Sequence, residues 1–116
     1  MADEPPIPDA WRAVVVRILK DADTRAIMLT GEARASWAAT FPDAWISDCY
    51  DAMARVLKAD GIRGRQILDM RDPGEIWAFW FEFKKRKLYG KINLTPNGKL
   101  IIIYSAHVPR KGDQFL

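Results

Sequence analysis

Residues 75–111 decide the fold, and their sequence is EIWAFWFEFKKRKLYGKINLTPNGKLIIIYSAHVPRK. Three runs of aromatic and β-branched residues are separated by two turn signals, Lys85-Arg86 and Pro96-Asn97-Gly98. Runs of this composition, bounded by turn residues, are typical of antiparallel hairpins. The stretch therefore predicts a three-stranded antiparallel meander.

Side-chain alternation assigns the faces of the first hairpin, because successive residues of a strand point to opposite faces. A tight Lys85-Arg86 turn would pair Lys84 with Lys87, Glu82 with Tyr89 and Trp80 with Lys91. This pairing gathers the apolar side chains onto one face, which we expect to be buried. They are Trp77, Phe79, Phe81, Phe83, Leu88, Ile92 and Leu94.

The register of the second hairpin depends on the length of its loop. A three-residue loop at 96–98, with Pro96 in the first turn position, pairs Tyr89 with Ser105 and Lys87 with His107. It places Ser105 and His107 on the face of Lys91. A two-residue Asn-Gly loop is the alternative, and it would move Ser105 and His107 to the opposite face.

Basic residues are concentrated in the same part of the chain, although the whole chain carries a net charge of only +3. Residues 84–112 contain no Asp or Glu, and the first part of the chain holds most of the acidic residues. The basic residues of this segment are Lys84, Lys85, Arg86, Lys87, Lys91, Lys99, Arg110 and Lys111. The distribution predicts a basic surface for a polyanion, carried by a more acidic support.

The 116 residues predict one domain, and a composition of 49% hydrophobic residues is ample for its core. The single cysteine, Cys49, has no disulfide or metal-ligand partner. We find neither a secretory signal nor an apolar run near the roughly 20 residues of a membrane span. These features predict a cytoplasmic protein that does not interact with membranes.

The preceding residues predict helices. Residues 1–8 are rich in Pro and are expected to form a flexible tail, and 9–116 a single α+β domain. Helical spacing of apolar residues follows Asp9, a weaker helix covers 31–39, and a clear one follows the Thr40–Asp43 capping pattern. Residues 24–29 are a short strand or a loop. With a strand at 66–70, we expect helices packed on one face of a C-terminal antiparallel sheet of about four strands.

The closing hairpin resembles that of bacterial ribonuclease toxins of the motility quorum-sensing regulator type, part of the wider RelE, barnase and colicin D-like group. The shared pattern is Tyr-x-Lys-Ile-x-(Leu/Val), a turn, and an apolar strand ending in Ser and followed by basic residues. The matching positions here are Tyr89, Lys91, Ile92, Leu94, 101–103, Ser105, Arg110 and Lys111. Toxins of that type usually have Phe-Lys after the Ser, where this chain has Ala106-His107.

This resemblance implies the toxin of a toxin–antitoxin system, which cleaves mRNA without a metal and is inhibited by a cognate antitoxin. It also implies that Tyr89 and a C-terminal basic residue belong to the site. Ala106-His107 suggests a catalytic set nearer to the members that use histidine. No Gly-rich phosphate loop, paired His ligands or Ser-His-Asp spacing occurs, so no cofactor or metal is expected.

Metal-free RNA cleavage needs a base near the 2′-hydroxyl, an acid for the 5′-oxygen and cations for the charge that develops on phosphorus. The candidate catalytic residues are His107, Lys91, Tyr89 and Glu82, with His107 as acid or base and Glu82 as the complementary base. The candidate RNA-binding residues are Lys84, Lys87, Ser105, Arg110 and Lys111.

Each candidate also has a purely structural explanation. His107 is also explained as a surface or capping residue near a strand end. Glu82 is explained as a cross-strand partner of Lys87 or Lys91, and 84–87 as a solvated turn. Two other functions therefore stay open. One is a non-catalytic nucleic-acid-binding module, and the other is an immunity or adaptor domain whose basic face meets an acidic protein.

Overall fold

A computed structural model describes residues 4–110 of the chain. This part contains three helices and a five-stranded sheet. The helices are α1 (Asp9–Asp21), α2 (Gly31–Thr40) and α3 (Ile46–Leu57). The strands are β1 (Ile27–Leu29), β2 (Arg65–Ile67), β3 (Glu75–Phe83), β4 (Arg86–Leu94) and β5 (Ile101–His107). Their order in the sheet is β1-β5-β4-β3-β2.

The predicted α+β class and the helices on one face of the sheet are confirmed. The prediction of about four antiparallel strands is wrong, because β1 adds a fifth strand. β1 pairs in parallel with β5, from Ile27 opposite Ile101 to Leu29 opposite Ile103. β1 has only three residues, too few for a periodic pattern in the sequence. Its strand conformation therefore depends on its pairing with β5.

The core lies between the helices and the aromatic face of the sheet. Trp37 of α2 packs against Phe41 and Phe83, with ring centroids 4.7 Å and 5.2 Å away. Phe79 at the centre of β3 is completely buried. Among the described residues, no helix is long and apolar enough to cross a membrane.

The first hairpin turns at Lys84-Lys85 rather than at the predicted Lys85-Arg86. Both lysines have positive φ, 50° and 65°, as in the type I′ turns that suit the twist of a hairpin. Phe83 therefore pairs with Arg86, Glu82 with Lys87 and Trp80 with Tyr89. The predicted pairs are wrong, but the register moves by an even number of positions, so every side chain stays on its predicted face.

The second hairpin combines features of both predicted registers. Near the loop, Asn93 pairs with Ile102, as the two-residue loop requires. A β-bulge then shifts the ladder between Lys91 and Ile92, with Tyr104 as the extra residue, so that Lys91 faces Ser105 and Tyr89 faces His107. The predicted partners of Tyr89 and Lys87 are therefore wrong. The bulge nevertheless places Ser105 and His107 on the face of Lys91.

The N-terminal segment is attached to the domain from Glu4 onward, which corrects the predicted tail at 1–8 for its described part. Ile7 is 2% exposed, belongs to the core, and donates its N–H to the carbonyl of Ile62 at 2.9 Å. Arg12 of α1 contacts the carbonyl of Ile7 and also donates to the carbonyls of Leu57 and Ala59, at 2.7 Å and 3.2 Å. The latter two carbonyls belong to the last residue of α3 and to a residue just beyond it, where the helix itself supplies no donors.

Because the thiol of Cys49 is buried, we expect the free energy of unfolding to decrease at alkaline pH. Cys49 is 0% exposed, and this burial raises its pKa far above the ordinary value. In the unfolded chain the thiol ionises from about pH 8.5, so only the folded state keeps the proton above that pH. The free energy of unfolding should therefore fall as pH rises, by up to about 1.4 kcal/mol per unit.

Urea unfolding of wild type and Cys49→Ala between pH 7.5 and 10 measures this contribution. Cys49→Ala should be less stable at pH 7.5, because it leaves a cavity, yet lose less stability on going to pH 10. Parallel pH profiles for the two proteins would contradict the assignment.

Candidate functional site

The face of the sheet opposite the helices carries the predicted site residues, and we call it the second face. Its side chains come from alternate positions of β3, β4 and β5. Among them are Trp80, Glu82, Lys87, Tyr89, Lys91, Asn93, Ser105 and His107. The lysine-rich turn at 84–87 lies at one end of this face, and Arg110 follows β5.

A row of rings crosses the second face from β3 to β5. The rings of Trp80 and Tyr89 have centroids 5.7 Å apart, and those of Tyr89 and His107 are 5.3 Å apart. At the β3 end of this row, the Nζ of Lys87, a β4 residue, lies 4.3 Å from the centroid of the Trp80 ring. This cation–π contact presents a positive charge beside a half-buried indole.

His107 is held with a defined proton position. Its Nδ1 lies 2.7 Å from the carbonyl oxygen of Val108. A carbonyl oxygen only accepts, so Nδ1 carries the proton of this hydrogen bond. His107 and Tyr89 are only 5% and 6% exposed, so both rings lie mostly below the surface of the second face.

Lys91 lies opposite Ser105, one step along the same face from the Tyr89–His107 pair. Its Nζ is 6.0 Å from the centroid of the Tyr104 ring. The Tyr104 hydroxyl donates to Asp72 at 2.5 Å. Burial and this hydrogen bond raise the pKa of Tyr104 above its usual value. Lys91 therefore stands between the ring row and a second polar cluster formed with the 72–73 loop.

Asn93 completes that second cluster. Its amide Nδ2 donates to the carbonyl of Pro73 at 3.0 Å and to the Tyr104 hydroxyl at 3.3 Å. Asp72, in the loop before β3, anchors the bulge residue of β5. The loop thus covers one end of the second face and leaves the ring row at the other end.

Arg110 meets α2, an arrangement that the sequence analysis missed. Its guanidinium donates to Glu32 at 2.8 Å and to Ser36 at 2.9 Å. The hydrogen bond from Arg110 lowers the pKa of Glu32, and the charges of His107 and Lys91 lower it further. Glu32 is therefore a carboxylate close to the predicted site. No local signal marks it, because its position follows from the pairing of β1 with β5.

Glu82 lies away from His107. It pairs with Lys87, and His107 is two strands away and one row further along the face. With strands about 4.8 Å apart and a two-residue step of about 7 Å, their Cα atoms are roughly 12 Å apart. The structure therefore does not bring this predicted acid–base pair together.

The predicted RNA-binding residues lie in different surroundings. Lys84 and Lys87 are exposed at the first turn, and Ser105 is 8% exposed beside Lys91. Arg110 is bound to Glu32. Lys111 lies outside the described residues.

The candidate site is therefore Tyr89, Lys91, Ser105 and His107, with Glu32 and Arg110 at its border. Within residues 4–110, no three His, Cys, Asp or Glu side chains are grouped so that they would hold a metal ion. Comparison of the chain with protein-family models, with curated proteins and with solved structures found no match.

Proposed function

We propose that this protein is the toxin of a bacterial toxin–antitoxin system, a metal-independent endoribonuclease that acts on mRNA in the cytoplasm. One observation carries the proposal beyond the family resemblance. His107 and Tyr89 pair across β4 and β5, directly beside the pair of Lys91 and Ser105. A proton-exchanging ring, a tyrosine and a cation thus lie within one small patch of a basic surface.

The proposed chemistry is attack of the RNA 2′-oxygen on the adjacent phosphorus. The 2′-hydroxyl gives up its proton to a base, the 5′-oxygen leaves with a proton from an acid, and a 2′,3′-cyclic phosphate remains. Nε2 of His107 exchanges one of these protons. Lys91 stabilises the negative charge on the phosphorane. Glu32, whose pKa is lowered by Arg110 and also by the charge of His107, is the carboxylate we assign as its partner.

RNA binding is assigned to the exposed cations and to Trp80 at the β3 end of the ring row. Lys84 and Lys87 at the first turn contact phosphates, and the half-buried Trp80 beside Lys87 offers a surface for a base. Arg110 extends the basic surface past β5. A cognate antitoxin is expected to bind the toxin and inhibit it.

Removal of one cation from the second face should weaken RNA binding and make it less dependent on salt. For Lys91→Ala, we expect the slope of log affinity against log salt concentration to fall by about 0.7 for single-stranded RNA. Fluorescence anisotropy with a labelled oligonucleotide at several salt concentrations measures this slope. Lys20→Ala is the matched control, because Lys20 is an exposed lysine of α1, and it should keep the wild-type slope. Equal slopes for Lys91→Ala and wild type would exclude Lys91 from the interface.

The experiment that tests the proposal combines cleavage and growth. Purified protein should cleave a synthetic single-stranded RNA in the presence of EDTA and leave 2′,3′-cyclic phosphate ends. Induced expression in a bacterial host should stop growth with loss of mRNA. Trp45→Ala, exposed at the start of α3, controls for expression and folding. A protein that is folded, expressed and harmless, and that leaves RNA intact, would refute the proposal.

The burial of His107 and Tyr89 favours one other function, a non-catalytic nucleic-acid-binding module. Such a module would use the same cations and would hold the ring row as a structural element. It predicts RNA binding that falls in Lys91→Ala, persists in His107→Ala, and is accompanied by no cleavage.

A further inference from the structure

The outer edge of β3 has no partner strand along its second half within the described residues. β2 pairs with β3 only from Ile76 to Ala78, although β3 continues to Phe83. The edge from residue 79 to 83 is about 17 Å long. An unpaired edge of this length presents backbone donors and acceptors to another chain.

The turn geometry identifies which backbone groups face outward. In a two-residue hairpin, the residues that flank the turn exchange hydrogen bonds, so Phe83 bonds to Arg86. Hydrogen-bonding positions alternate along an antiparallel ladder, so Phe81 also bonds toward β4, and Trp80 and Glu82 direct their N–H and C=O groups outward. In residues 4–110, no backbone hydrogen bond from a loop or helix reaches these groups.

A groove of about 430 Å³ runs along this edge. On the α3 side it is lined by Ala52 and Val56, and on the strand side by Trp80 and Phe81. Residues of an added strand would alternate between these two sides. A residue opposite Phe81 would face the apolar side of the groove, and one opposite Trp80 would lie on the second face.

The charges of the groove favour an acidic occupant. Arg55 and Lys87 both line it, against the single carboxylate of Glu82. The Nζ of Lys87 stands above Trp80, where the side chain of an added residue would lie. A second copy of this protein would bring the same cations to the same groove, so a different, acidic chain fits better.

We propose that the outer edge of β3 binds an extended segment of a partner protein by strand addition. The segment is apolar at alternate positions and carries an acidic residue opposite Trp80. Its backbone hydrogen-bonds to Trp80 and Glu82, its apolar side chains contact Ala52, Val56 and Phe81, and its carboxylate meets Lys87. This surface is the edge of the sheet, and it binds a peptide whether or not the second face cleaves RNA.

The test uses the purified protein and the peptide Val-Thr-Val-Glu-Val, in the absence of RNA. In the free protein, the amides of Trp80 and Glu82 should exchange hydrogen faster than those of Phe79 and Phe81, which bond to β4. Saturation with the peptide should slow exchange at Trp80 and Glu82 by about tenfold or more, as followed by NMR. Absence of peptide-induced protection at these two amides overturns the proposal.

Matched peptides and variants separate strand addition from other modes of binding. A peptide with Lys in place of Glu, and one N-methylated at Thr and Glu, should bind at least about tenfold more weakly. Val56→Arg should fill the groove and abolish binding, whereas Met28→Arg, on the opposite edge of the sheet, should not. Lys87→Glu should prefer the lysine peptide.

Two outcomes oppose the proposal. Unchanged binding of the N-methylated peptide would show that no strand is added. A dimer of the free protein, with Trp80 and Glu82 already protected, would show that a second copy occupies the edge.

Discussion

Replacement of His107 by alanine is expected to slow RNA cleavage by about 10²- to 10⁴-fold and to leave RNA affinity within about twofold of wild type. Nδ1 of His107 donates to the carbonyl of Val108, which fixes the orientation of the imidazole ring. In the proposed mechanism, loss of the imidazole removes the group that transfers a proton but removes no phosphate-binding cation. The measurement is single-turnover cleavage of a labelled oligonucleotide, beside its dissociation constant.

Lys91→Ala is the matched comparison, because Lys91 lies one row from His107 on the same face. It should lower both affinity and cleavage rate. Since His107 is 5% exposed, circular dichroism and thermal unfolding must show that His107→Ala is folded. A folded His107→Ala that cleaves at the wild-type rate would remove His107 from the mechanism and favour the binding module.

Phe79→Ala is expected to lower the free energy of unfolding by about 3–5 kcal/mol. Phe79 is 0% exposed, and its ring centroid is 6.1 Å from that of Phe81. Gly90 on the neighbouring strand makes room for it, since a Cβ at Gly90 would lie 3.0 Å from the Phe79 ring. Alanine would therefore leave a cavity under the strand that carries Tyr89 and Lys91.

Urea denaturation measures this loss, with Trp45→Ala as the control. Trp45 is 78% exposed before α3, so its replacement should change the free energy of unfolding by no more than about 0.5 kcal/mol. A loss below about 1 kcal/mol for Phe79→Ala would mean that the core collapses into the space, contrary to the packing around Gly90.

The first hairpin illustrates how far a local pattern determines a structure. Alternation in β3 and β4 correctly predicted which side chains share a face, because the aromatic side chains occupy every second position. The turn was placed one residue too late, since Lys84-Lys85 and Lys85-Arg86 are chemically alike. With the turn at Lys84-Lys85, Phe83 contacts Trp37 of α2. These two residues are distant in the sequence.

The second hairpin shows the same limit more clearly. Neither of the two candidate loops accounts for the whole ladder, because the register changes at the bulge. The bulge residue, Tyr104, hydrogen-bonds to Asp72 in a loop that precedes β3. A hairpin sequence by itself contains no signal for such a partner. The same bulge decides that Ser105 and His107 share the face of Lys91.

By itself, the sequence determined the α+β class, the helical face of the sheet, the basic C-terminal segment and the alternation that groups Tyr89 with Lys91. These properties follow from composition and from periodicity within single elements. Only the tertiary structure decided the pairing of β1 with β5, the bulge at Tyr104 and the approach of Glu32 to Arg110. These depend on contacts between residues far apart in the chain, whose energies no local pattern contains.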